Sequence, residues 1–195
     1  MKKNNRITGR ICIFAGTILL LMAVIFPVFW QWQIGSSAQK TEDCVETIRS
    51  LIPEAQSAFL EERRDNTMPI LSLDGTDYIG ILEIPRYGSA LPVSADWGEV
   101  TKRPCRLGGS IYDGTIQIGG TSQKGQYDFF RDISAGDSVC FTDMEGKRYA
   151  YEITDIRYEK HADRTALLRK DSALTLFIKN VFAFEYIIVF CDPVG

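Results

Sequence analysis

The stretch LTLFIKNVFAFEYIIVFC, Leu174 to Cys191, constrains this chain more than any other. It holds two short apolar runs, rich in β-branched and aromatic residues. The first, Leu174 to Ile178, stops at Lys179-Asn180. The second, Tyr186 to Val189, runs into Phe190-Cys191 and ends at Asp192-Pro193. Runs this short and of this make-up predict buried strands near the middle of a sheet. Lys179, at the mouth between the two, reads either as a solvated loop residue or as part of a site.

The chain upstream has the same texture from Tyr78 onward. YIGILEI alternates and stops at Pro85. Ala90 to Val93 and Thr115 to Ile118 predict two further short strands. Ser138 to Thr142 and Tyr149 to Arg157 flank Asp143-Met144-Glu145-Gly146, the pattern of a hairpin with a loop of four or five residues. Between Gln123 and Ile133 a loop is expected, with one helical turn at Tyr127 to Arg131. Many short strands with little helix predict a mainly β domain, closed as a barrel or stacked as a sandwich.

The first third is different. Ile11 to Phe29 is nineteen residues without a charge. As a helix it spans roughly 28 Å, about the thickness of a bilayer's hydrocarbon core. Basic residues precede it, and Trp30 and Trp32 follow at the expected interface level. The expected organisation is a cytoplasmic tail (1–10), a transmembrane helix (11–32), a helical stalk and linker (33–75) and a β domain (76–195). The positive-inside rule puts the β domain outside the cell. A cleaved signal peptide, with Ser36 and Ala38 before the cut, is the competing reading; the length of the apolar run favours an uncleaved anchor. In the stalk, Val45, Ile48, Ile52, Ala55 and Phe59 make one apolar stripe from Thr41 to about Arg64, with Pro53 expected to break it.

Charge and cysteine usage exclude several functions. Lys2, Lys3, Arg6 and Arg10 are four of the 22 bases, and the other 18 face 25 acids. So acidic a body is a poor binder of nucleic acid, which needs clustered Lys and Arg for phosphate contacts. Cys12, Cys44, Cys105, Cys140 and Cys191 show no metal-ligand spacing, and a single histidine, His161, cannot complete a zinc site. No metal and no cofactor is expected. Buried free thiols are expected, with a Cys105–Cys191 pairing left open.

The order of motifs from Tyr78 to Cys191 resembles the sortase family. GILEIPRYGSALPV, Trp97, KRPCRLGGS, TIQIGGTSQ, FFRDISAGDSVCFTDMEG and ALTLF follow one another in family order. The likeness is greatest to the class B and D type membrane sortases of Gram-positive bacteria. The resemblance implies a closed eight-stranded β-barrel with short helices. It also implies an extracytoplasmic cysteine transpeptidase that cuts a sorting motif, often of the Leu-Pro-x-Thr-Gly type. Such enzymes join the product to cell wall or pilin. The expected location is the cell membrane, by a single pass with the main domain outside.

Sortase chemistry needs a thiolate nucleophile, a histidine for proton transfer and an arginine for the oxyanion or substrate. By motif, Thr121 stands in the histidine position, Lys179 in the cysteine position, and Tyr186 (or Glu185) in the arginine position. No catalytic group of the family is therefore intact. Three readings follow. One is a pseudo-sortase that binds a sorting-signal-like peptide or a surface or pilin protein. The second is a hydrolase or transpeptidase using a hydroxyl of Thr121 or Ser122 with Lys179 as base. That reading requires Lys179 to be desolvated by Ile178, Phe182 and Phe184. The third is a purely structural, membrane-tethered barrel.

Overall fold

A computed structural model describes the backbone of residues 4–54, 56–57, 67–160 and 172–194, and the side chains of 15–27, 38–54, 67–160 and 172–194. His161 and the stalk positions Ala55 and Phe59 lie outside the described side chains. The chain forms two compact units, Met1–Ser37 and Ala38–Gly195. Helix α1 (Asn4–Leu51) contributes to both.

In the first unit, Ile18 to Phe26 turn apolar side chains outward, with Leu20 71% exposed. Among the described residues no helix is long and apolar enough to cross a membrane. The expected span of 11–32 falls partly outside the described side chains.

The second unit starts with the end of α1. The expected stripe packs here: Val45 and Ile48 are buried against Tyr78 and Ile81. Arg49 and Arg148 both bond the Glu83 carboxylate, tying helix to barrel. Arg49 is half exposed, and a pair so open to water contributes up to about 1 kcal/mol, so the apolar contact carries the attachment. The helix stops at Leu51, at the break expected from Pro53; residues 58–66 of the expected stalk lie outside the described residues. Pro53 disfavours helical backbone at the residue before it and cannot donate to the ladder. Gln56–Ser57 then forms a short strand, β1.

Among the described residues nine further strands follow: β2 (Leu71–Leu73), β3 (Thr76–Ile84), β4 (Ser89–Ser94), β5 (Cys105–Gly108), β6 (Ile116–Thr121), β7 (Ser138–Asp143), β8 (Lys147–Glu159), β9 (Leu174–Asn180) and β10 (Glu185–Pro193). Short 3-10 turns cover Pro85–Tyr87 and Trp97–Glu99. The sheet runs β8-β10-β9-β6-β5-β4-β3, and β7 pairs with both β3 and β8. That last pairing closes a ring of eight strands. β1 and β2 are appended outside it, on β8 and β3. A closed ring leaves no unpaired edge within itself, which an extended sheet would. The expected mainly β, eight-stranded closed barrel is what the chain builds.

Alternation along the strands sorts inside from outside. Ile116 and Ile118 of β6, Leu174, Leu176 and Ile178 of β9, and Ile187 and Val189 of β10 enter the main core. Phe177, Ile188 and Phe190 face the other way and form a separate small cluster with Leu107. The predicted helical turn at Tyr127 to Arg131 is instead a run of turns. Tyr127 and Phe130 are drawn into the core, and that tertiary packing overrides local helical preference.

Two core phenols have unpaired hydroxyls. The oxygens of Tyr127 and Tyr151 are buried without a hydrogen-bond partner. Burial pushes both phenols above their usual ionisation range. A desolvated hydroxyl without a partner costs about 1–3 kcal/mol. Tyr127→Phe and Tyr151→Phe are each expected to leave stability unchanged or raise it by about 1 kcal/mol. A drop of the thermal midpoint in either variant would show that the hydroxyl has a stabilising partner.

Candidate functional site

The site follows from how β6, β9 and β10 are paired. β6 and β9 run parallel, with Thr121 opposite Lys179. β9 and β10 form an antiparallel hairpin, with Lys179 opposite Tyr186. The three positions singled out by motif therefore stand in one row across three adjacent strands. Directly opposed residues share a face, with Cβ atoms about 5 Å apart. Thr121 lies two residues beyond Gly119, Lys179 two beyond Phe177, and Tyr186 two before Ile188. The row thus shares the outer face with the Phe177, Ile188 and Phe190 cluster. Glu185 pairs with Asn180, one position along.

The backbone before Thr121 is closely approached at its two glycines. A Cβ on Gly119 would sit 2.8 Å from the Leu107 side chain, and one on Gly120 would sit 2.5 Å from the Tyr127 ring. At 120 the buried aromatic ring leaves no room for a Cβ, whereas at 119 the tip of the leucine would have to shift. Past the strand, the Thr121 N–H donates to Gln126 Oε1 at 2.9 Å, and Gln126 Nε2 donates to the Thr101 carbonyl at 3.1 Å. The Ser122 N–H donates to the Lys179 carbonyl at 3.0 Å. The Ser122 hydroxyl accepts from the Val181 N–H at 3.1 Å. Ser122 is thereby a staple between two strand ends, buried and committed to backbone.

The β9–β10 turn is fixed by Asn180. Its Oδ1 accepts from the Phe182 N–H at 3.0 Å, and its Nδ2 donates to Glu185 Oε1 at 2.9 Å. Phe184 adopts a positive φ of 52°, uncommon for a bulky side chain. This braced turn holds Phe182 and Phe184 out, 72% and 83% exposed. The expected desolvation of Lys179 by these rings is therefore absent: Lys179 is exposed. The Thr121 hydroxyl is buried and has no hydrogen-bond partner, so it makes no bond to the lysine amine. The hydroxyl–amine pair that a nucleophilic dyad needs is not formed.

The thiols lie elsewhere. Cys44, Cys105, Cys140 and Cys191 are free, so Cys105 and Cys191 are not joined. Burial pushes the Cys105 thiol up to about 12, and burial pushes Cys191 up as well. A thiol held protonated is a poor nucleophile. Among the described residues no group of side chains is arranged to hold a metal ion.

Sequence reading missed one feature. A cleft of about 570 Å³ lies between residues 38–49 of α1 and the barrel, with Glu42, Glu46, Tyr87, Leu91, Asp128 and Phe129 among its walls. Thr41 Oγ1 donates to the Gly125 carbonyl at 3.1 Å across one end. The helical stripe showed that α1 packs on something, but nothing in the sequence showed which strand or loop it would meet.

Comparison with known proteins yields a likeness in structure alone. No protein-family profile and no curated protein sequence matches the chain. Among solved structures, sortase A from Corynebacterium diphtheriae superposes with a TM-score of 0.54 at 19% identity, covering 83% of this chain and 84% of that one. Sortase C1 from Streptococcus agalactiae gives 0.52 at 21% identity, over 64% and 71%. Sortase C from Clostridium perfringens with the C-terminal cell wall sorting motif gives 0.52 at 17% identity, over 62% and 72%. The barrel is a sortase-like fold.

Proposed function

We propose that this chain is a sortase-fold protein without cysteine transpeptidase chemistry, which binds an extended peptide or a surface protein at the outer face of β6, β9 and β10. One observation carries the reading. Thr121, Lys179 and Tyr186 stand together in the row where the resemblance puts histidine, cysteine and arginine. The three roles are interdependent, and loss of one alone removes most of the rate in such a unit. The burial of Cys105 and Cys191 in the barrel wall and core supports the reading, since neither can substitute as nucleophile. The exposed Phe182 and Phe184 supply apolar surface beside the row for a peptide. The Clostridium perfringens sortase C structure, described with a sorting motif, makes a peptide of that class the first ligand to try.

The reading includes a membrane anchor. The uncharged run Ile11 to Phe29, the basic residues before it and the tryptophans after it support a single pass with the barrel outside the cell. The outward-facing apolar side chains of Ile18 to Phe26 are in keeping with a lipid surrounding.

The test is titration of an internal Leu-Pro-x-Thr-Gly-type peptide, blocked at both ends, onto the full chain in detergent. Saturable binding without cleavage is expected, weakened about tenfold by Phe184→Ala or Tyr186→Ala, each of which removes roughly 1–2 kcal/mol of contact. Cleavage of the peptide would refute the loss of chemistry. Absence of saturable binding would leave the barrel as a purely structural element.

A further inference from the structure

We propose that Lys179 and Tyr186 form a seat for the free terminal carboxylate of a peptide; this rests on the peptide-binding reading and narrows it to chains ending at the row. The two residues are directly opposed on β9 and β10 and share the outer face. Lys179 is exposed and Tyr186 half-buried. Opposed Cβ atoms lie about 5 Å apart, so an ammonium and a phenol hydroxyl can each reach one oxygen of the same carboxylate. Charge-assisted bonds of this kind are shorter and stronger than neutral ones, and capture of a chain's terminal carboxylate is a recurrent recognition mode.

The described surroundings give this cation no ion pair. Among the described residues no carboxylate pairs with Lys179. Glu185, the nearest acid along the hairpin, is held by Asn180. Glu159 stands opposite Tyr186 on the far side, in β8. Two strand spacings, about 10 Å, separate it from Lys179. On the other flank, the Thr121 hydroxyl is buried without a partner. Lys179 therefore stands without an ion pair among the described residues, beside two exposed aromatic rings on a braced turn, with Glu159 on the opposite side of Tyr186. A peptide laid over Lys179 must strip water from the ammonium. A neutral amide carbonyl offsets that cost poorly, whereas a carboxylate offsets it with a full opposite charge. The residue before the carboxylate would rest on Phe182 or Phe184.

The experiment compares Leu-Pro-Ala-Thr as the free acid with the same peptide as its C-terminal amide, by calorimetry on the full chain in detergent. The free acid is expected to bind at least about tenfold tighter. Lys179→Gln should abolish that preference, Lys179→Arg should keep most of it, and Tyr186→Phe should reduce it. Lys179 is exposed, so its variants are expected to fold as the parent does. Equal affinity of acid and amide would overturn the carboxylate seat while leaving peptide binding intact. A preference that survives Lys179→Gln would also overturn it. Binding of neither peptide would overturn the seat and, with an unbound internal peptide as well, the peptide-binding reading beneath it.

Discussion

The unmodified chain is expected to leave a Leu-Pro-x-Thr-Gly-type peptide uncut, and Lys179→Cys alone is expected to leave it uncut too. The triple variant T121H/K179C/Y186R is expected to release measurable product. Thr121, Lys179 and Tyr186 are opposed pairwise across β6, β9 and β10. Neighbouring positions lie about 5 Å apart at Cβ, and 121 and 186 about 10 Å apart on either side of 179, so a thiol at 179 would stand between an imidazole and a guanidinium that can both reach one carbonyl. A cysteine at 179 without the other two has an ordinary thiol, largely protonated at neutral pH, with no group to protonate the leaving amine. Groups acting as a unit are strongly non-additive, so the step from single to triple variant should exceed about tenfold. The buried setting of Thr121, 4% exposed, is the obstacle to a full rate, because an imidazole is larger than the side chain it replaces. Product is quantified by chromatography, and an acyl-enzyme by intact mass. Turnover by the unmodified chain would end the reading of lost chemistry. An inert triple variant that still binds peptide would show that the row is not where a sortase-type centre can be built.

Much of the barrel was legible because its strands are short apolar runs between turn residues. β3, β4, β6, β7, β8, β9 and β10 all contain a run visible in the sequence. β5 was not legible as a strand. Cys105-Arg106-Leu107-Gly108 carries one charge and one glycine, and it owes its conformation to pairing with β6. β10 runs to Pro193, the expected end at Asp192-Pro193, since a proline is tolerated at a strand's end. Lys179 is the instructive residue. Its polarity and the following asparagine place it at a loop mouth by composition. The ladder extends to Asn180 because β6 and β10 flank β9 on both sides, so Lys179 belongs to a strand. The motif resemblance named Thr121, Lys179 and Tyr186. Only long-range parallel pairing of β6 with β9 puts the first beside the second, and register across so long a separation leaves no local trace. The exposure of Phe182 and Phe184 was likewise hidden, because nothing local tells whether two rings on a turn cover the neighbouring lysine or face water.

Asp143→Ala is expected to destabilise the barrel by about 3 kcal/mol, more than any surface substitution. Asp143 ends β7 and is fully buried. Its Oδ1 accepts from the Glu145 and Lys147 N–H groups, each at 2.9 Å, and its Oδ2 accepts from the Tyr112 hydroxyl at 3.0 Å. The carboxylate thus ties the turn of the β7–β8 hairpin to the segment leading into β6. Alanine would strand three donors, and each stranded donor costs about 1 kcal/mol or more. Asp143→Asn keeps an acceptor for the two backbone groups and should cost roughly half as much. Tyr112→Phe removes the third donor, so the double variant D143A/Y112F should be less destabilised than the sum of the single variants, by about 1 kcal/mol of coupling. Denaturant titration of the four proteins reads this directly, provided the slope of each transition is unchanged. Strict additivity would show that the Tyr112 bond carries no stability. A loss below about 1 kcal/mol for Asp143→Ala would show that water satisfies the hairpin donors and that closure of the ring does not depend on this carboxylate.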